Sequence, residues 1–94
     1  MFDIVVDDDG TVRLSGRFDA SQVDTAQRVF VGISGKTVVD CEELKYISSA
    51  GLGVLFATQK RLMDSGDGLR LINLNPHIRE VFQLAGFDTI FEIG

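Results

Sequence analysis

The spacing of apolar residues changes period along this chain, and that change restricts the fold more than any other feature. Phe2, Ile4 and Val6 alternate with Asp3, Val5 and Asp7, the period of a strand with one wetter face. Asp8-Asp9-Gly10 marks a tight turn, since glycine accepts positive φ, and Val12 and Leu14 resume the alternation until Gly16 ends it. The chain therefore opens with a β-hairpin. From Ser21 the period becomes helical, with Val23, Ala26, Phe30 and Ile33 on one face. Ser21 with Asp24 forms a weak capping box, Gly32 and Gly35 supply the stop, and the spacing predicts a helix over Ser21–Val31. Thr37–Cys41 is short and β-branched, the pattern of a buried strand.

Ser48-Ser49 then precedes a second helical run, Ala50–Asp64, which Ser65-Gly66-Asp67-Gly68 breaks. Leu69–Leu74 reads as a further strand. Asn75-Pro76 starts a last helix, Asn75–Leu84, because Asn caps and Pro fits the first turn; Gly86 ends it. Thr89–Ile93 leaves room for a terminal strand. The order is β-β-α-β-α-β-α, with or without that last strand. Strands alternating with helices imply parallel neighbours joined by right-handed crossovers, and the opening hairpin adds an antiparallel pair. The predicted fold class is α/β: a mixed β-sheet with helices packed mainly on one face, in one domain over residues 1–94.

Composition narrows the function. Ninety-four residues allow one small core, and apolar residues at 45% exclude disorder. The longest mostly apolar stretch, Ala50–Ala57, is far short of the roughly 20 residues of a membrane span. A net charge of -5 and scattered basic residues leave no surface for nucleic acid. The single cysteine and the Met-Phe-Asp-Ile start, with no basic lead, favour a reducing cytosol, so a cytoplasmic location is expected. Cys41 and His77 are too few soft ligands for a structural zinc, and no metal or cofactor is expected.

Few residues stand out as chemistry. Gly51-Leu52-Gly53 has two glycines of a dinucleotide fingerprint, but Phe56 stands where the third small residue belongs. The glycines must then be offset by close packing inside the domain or by close approach of a partner. His77 at a helix start lacks an oriented nucleophile and reads as a surface residue; Cys41 reads as a buried, inert thiol. Asp7-Asp8-Asp9-Gly10 reads as a solvated turn rather than a cation loop. With neither an acid/base pair nor a nucleophile–base pair, no enzyme is expected. Asp19 and Ser48-Ser49 lie in two loops that each follow a strand and enter a helix. The topology places both at the carboxyl edge of the sheet, where α/β sites form, and predicts the Asp19 carboxylate near the Ser49 hydroxyl.

The run Val38-Val39-Asp40-Cys41-Glu42-Glu43-Leu44-Lys45-Tyr46-Ile47-Ser48-Ser49-Ala50-Gly51-Leu52-Gly53-Val54-Leu55 resembles the signature of STAS domains, in particular the single-domain bacterial anti-sigma factor antagonists. Gly16-Arg17-Phe18-Asp19-Ala20 resembles the family's segment after the second strand, and Leu69–Leu74 with Val81–Phe87 its last strand and helix. The resemblance implies partner switching. The unphosphorylated antagonist binds an anti-sigma factor that is also a serine kinase; phosphorylation of a serine at the helix start releases it, and a serine phosphatase resets it. By position that serine is Ser49, with Ser48, which replaces a commonly acidic residue, as secondary candidate. Asp19, Ser48, Ser49, Ala50, Gly51, Leu52 and Gly53 would form the partner-binding surface. Two alternatives stay open: Ser49 as a plain helix cap, and a STAS-type accessory or small-ligand or nucleotide-binding module not regulated by phosphorylation.

Overall fold

The four strands expected from the sequence and the terminal one it left open form one five-stranded sheet in the computed structural model, which describes residues 1–94. β1 (Phe2–Val6) and β2 (Val12–Phe18) make the antiparallel hairpin. β3 (Thr37–Ile47), β4 (Leu69–Ile72) and β5 (Glu92–Ile93) follow in parallel, so spatial order equals chain order. Helices α1 (Val23–Phe30), α2 (Ser49–Met63) and α3 (Pro76–Leu84) join the successive parallel strands. Crossovers of one hand that always step in the same direction put all three helices on one face. That face carries Val12, Leu14 and Phe18 of β2, Val39, Cys41, Leu44 and Ile47 of β3, and Leu69 and Leu71 of β4. Ala26 and Phe30 of α1, Leu55 and Leu62 of α2, and Ile78 and Phe82 of α3 close over them. The opposite face is left to Arg13, Arg17, Asp40, Tyr46 and Arg70.

Five boundaries differ by more than one residue from the sequence prediction. β3 runs on to Ile47 because it carries two extra residues relative to β2. Arg13 faces Asp40 but Ser15 faces Glu43, and Gly16 faces Leu44 but Arg17 faces Tyr46. Each extra residue flips the alternation, so the buried positions are Val39 and Cys41, then Leu44, then Ile47. Gly16 does not end β2. It sits within the strand at φ +81, and a Cβ there would fall on the Met1 carbonyl. The first helix starts late, after a 3-10 turn at Ala20–Gln22. β4 stops at Ile72 because Asn73 turns the chain at φ 60, and the terminal strand keeps only Glu92–Ile93.

Candidate functional site

β2 and β3 end side by side. Phe18 pairs with Ile47, and the Ser48 N–H donates to the Phe18 carbonyl at 2.9 Å. Asp19 and Ser48 therefore follow a matched pair, on parallel strands about 4.8 Å apart. The two loops predicted to share an edge do share it.

Within that edge the serines take different roles from those expected. Ser48 is extended, at φ −89 and ψ 172, and its Oγ accepts from the Gly51 N–H at 3.2 Å. Its carbonyl accepts the first intrahelical bond, from the Leu52 N–H at 2.9 Å. Ser48, not Ser49, is the N-cap of α2. Ser49 is the first helical residue; its side chain is exposed and makes no hydrogen bond within the chain. With the Gly51 N–H held by Ser48, the N–H groups of Ser49 and Ala50 remain without intrahelical partners.

The glycines divide in the same way. A Cβ on buried Gly51 would lie 2.9 Å from Ile47 Cγ1, 3.0 Å from the Phe18 carbonyl oxygen and 3.1 Å from Phe18 Cγ. Gly51 thus lets the first turn of α2 lie directly on the ends of β2 and β3. That packing accounts for one of the two glycines of the apparent nucleotide fingerprint. Leu52 turns into the core, whereas Gly53 is exposed and a Cβ there would meet nothing within 4 Å.

Asp19 caps the 3-10 turn at Ala20–Gln22. Its Oδ1 accepts from the Ser21 N–H at 3.0 Å and from the Ser21 hydroxyl at 2.5 Å. The Ser21 hydroxyl, against some desolvation, and then the Ser21 N–H and the Arg17 charge hold this carboxyl below its ordinary value, so it is an anion. The expected neighbourhood of Asp19 and Ser49 holds at the level of the loops, but the carboxylate spends its bonds on Ser21. Sequence reasoning had left Ser21 out of the site; the Asp-x-Ser spacing of an Asx turn is the signal that finds it. Next to this edge, on the open face, the Arg17 guanidinium lies 4.2 Å from the centre of the Tyr46 ring.

Asp40 was also missed. It is only 6% exposed although it points away from the core. Its carboxylate accepts from Arg13 Nη1 at 2.6 Å, Asn73 Nδ2 at 3.1 Å and the Glu42 N–H at 3.0 Å. It pins the first irregularity of β3 and ties β2 to the turn after β4. A lone aspartate in Val38-Val39-Asp40-Cys41 was its only sequence trace.

The remaining candidates lie apart. His77 is exposed on the first turn of α3. Cys41 is fully buried, and burial pushes its thiol up to about 12, which keeps it an unreactive thiol. Asp7–Gly10 is a turn closed by Asp7 N–H to Thr11 carbonyl and Gly10 N–H to Asp7 carbonyl bonds at 2.8 and 2.9 Å. No helix is long and apolar enough to cross a membrane. What the carboxyl edge presents is one unencumbered hydroxyl, two free N–H groups and a bare glycine, with no base bonded to the hydroxyl.

The sequence and the fold are shared with known proteins. A protein of Bordetella bronchiseptica named as an anti-sigma factor antagonist, BtrV, is 42% identical over 75 residues; these cover 80% of this chain and 59% of the relative, so the chain spans well under two thirds of that protein. An anti-sigma factor antagonist from Mycobacterium paratuberculosis superposes with a TM-score of 0.84 at 24% identity, covering 99% of this chain and 85% of that one. SpoIIAA, an anti-sigma factor antagonist, superposes in its unphosphorylated form with a TM-score of 0.76 at 22% identity, covering 100% of this chain and 88% of that one. Its phosphorylated form gives 0.71 at 21% identity, covering 100% and 91%. These likenesses establish the shared fold. The family model described as "Mlab, STAS domain" matches residues 5–92. That match runs over nearly the whole chain and agrees with its five-stranded mixed sheet and three helices, so the chain belongs to the STAS domain family.

Proposed function

We propose that the chain is an anti-sigma factor antagonist that works by partner switching in the cytoplasm and catalyses no reaction itself. Unphosphorylated, it binds an anti-sigma factor that is also a serine kinase. Phosphorylation of Ser49 releases it, and a serine phosphatase restores it. The observation that carries this reading is the division of labour between the two serines: Ser48 holds the helix, and Ser49 offers an exposed hydroxyl that the fold does not use. The names of BtrV and SpoIIAA, the latter solved in both phosphorylation states, support it. Asp19 belongs to the same partner-facing surface and shapes its loop through Ser21.

The physics of the switch is simple. A phosphate on Ser49 would find the free N–H groups of the helix start and the positive end of its dipole, so the fold tolerates it. A docked interface would have to desolvate the same dianion, at several kcal/mol per ion. A net penalty of only about 3 kcal/mol weakens binding more than a hundredfold.

The test uses the purified anti-sigma factor kinase of the same organism with ATP. The protein should gain one phosphate, located at Ser49 by mass spectrometry. Ser49→Ala should block the gain and keep binding, and Ser49→Asp should weaken binding. A phosphate found on Ser48, or an Ala protein that loses binding while the Asp protein keeps it, overturns the assignment.

A further inference from the structure

We infer that Gly53 is a point of close approach in the partner interface, kept bare because the backbone of the bound anti-sigma factor crosses α2 there. This rests on the antagonist reading above and deepens it. The contrast with Gly51 carries the inference. Both glycines sit early in a helix, where glycine is a poorer helix former than alanine. Gly51 has a cause inside the chain, because a Cβ would press on the Phe18 carbonyl and the Ile47 side chain. Gly53 has none. Its φ is not positive, it lies in the helix interior, and a Cβ would meet nothing within 4 Å. The folded chain alone would gain from alanine at this position.

Position says what faces Gly53. It is four residues after Ser49, so the two share one side of α2, one turn apart. Both are exposed, while Leu52, Val54 and Leu55 between and beside them are buried. A partner that covers the Ser49 hydroxyl closely enough to present a phosphoryl donor therefore also covers Gly53. A missing Cβ lets two backbones approach more closely than any other residue allows.

The experiment compares wild type with Gly53→Ala and Gly53→Leu against the same purified kinase without ATP, with binding by calorimetry and folding by thermal melts. The alanine variant should melt roughly 4–8 °C higher. It should also bind about tenfold more weakly, and the leucine variant more weakly still, as expected for a close contact forced apart. Stability and affinity thus move in opposite directions. Binding by Gly53→Ala within about twofold of wild type overturns the inference, as does a melting point that falls, which would reveal an internal cause for the glycine. If wild type itself does not bind, the antagonist reading fails first, and the inference with it.

Discussion

Replacing Ser48 and Ser49 one at a time by alanine separates the cap from the proposed acceptor, and the structure sets the size of each effect. Ser48→Ala removes the oxygen that accepts from the Gly51 N–H at 3.2 Å. Losing an N-cap costs about 1 kcal/mol. Gly51 is buried against Phe18 and Ile47, so water does not readily replace the lost partner, and an unsatisfied donor raises the cost toward about 2 kcal/mol. In a domain of this size each kcal/mol is worth roughly 4–8 °C of melting temperature. Ser49→Ala removes an exposed hydroxyl with no bond in the chain and puts a better helix former at the first position, so its effect stays within about 0.5 kcal/mol. Ser48→Asp keeps an acceptor at the cap and should stay near wild type. With no tryptophan and one tyrosine, unfolding is best followed by far-ultraviolet circular dichroism in urea. If Ser49→Ala loses as much stability as Ser48→Ala, or Ser48→Asp fails to recover it, the assignment of the cap is wrong, and with it the claim that Ser49 is free for modification.

Gly51→Ala should destabilise the domain by about 1–3 kcal/mol in the same assay, despite alanine's helix propensity, because the new methyl group meets backbone at 3.0 Å; a stabilised variant would refute the close packing. Acid should weaken the fold through Asp40. Burial raises its carboxyl, but the Glu42 N–H, Asn73 and Arg13 outweigh that and hold it below the ordinary value of 3.8. A carboxyl lowered by folding stabilises fully above its unfolded value and loses that contribution as the pH falls through the lower folded value. Urea midpoints should therefore drop below about pH 4, and Asp40→Asn, less stable at pH 7, should lose part of that slope; an unchanged slope would remove Asp40 from the account.

The sequence disclosed the fold wherever one period held for a whole element. β1, the start of β2, α2 and α3 were legible because Phe2-Ile4, Val12-Leu14 and the helical runs keep phase with a single buried face, although Val6, which the alternation also put inside, is half exposed. β3 was legible only to Cys41, since two extra residues move the inward side to Leu44 and then Ile47, and a period-two reading sees Glu42-Glu43 as the end of the strand. The site was legible as loops and not as bonds. Topology alone brings Asp19 and Ser48-Ser49 to one edge. Which serine caps depends on a single φ, ψ pair at Ser48, and the partner of Asp19 depends on a 3-10 turn that hydrophobic spacing does not encode.

The second extra residue of β3 is also what builds the site. It sets Arg17 against Tyr46 and Phe18 against Ile47, so that β2 and β3 finish together and the Ser48 N–H reaches the Phe18 carbonyl. Were the same residues paired in an unbroken register from Gly16 and Leu44, Phe18 would face Tyr46, Ile47 would point to the open face, and Ser48 would enter α2 from the wrong side of the sheet. Gly51 then has its close neighbours because those two strand ends lie directly beneath it. A close-packed seat of this kind fits the proposed switch, in which the message is a change of charge. Because α2 is fixed by Ser48 and Gly51, a phosphate one residue along has little freedom to be absorbed by movement of the helix, and its cost would fall on whatever is docked against it.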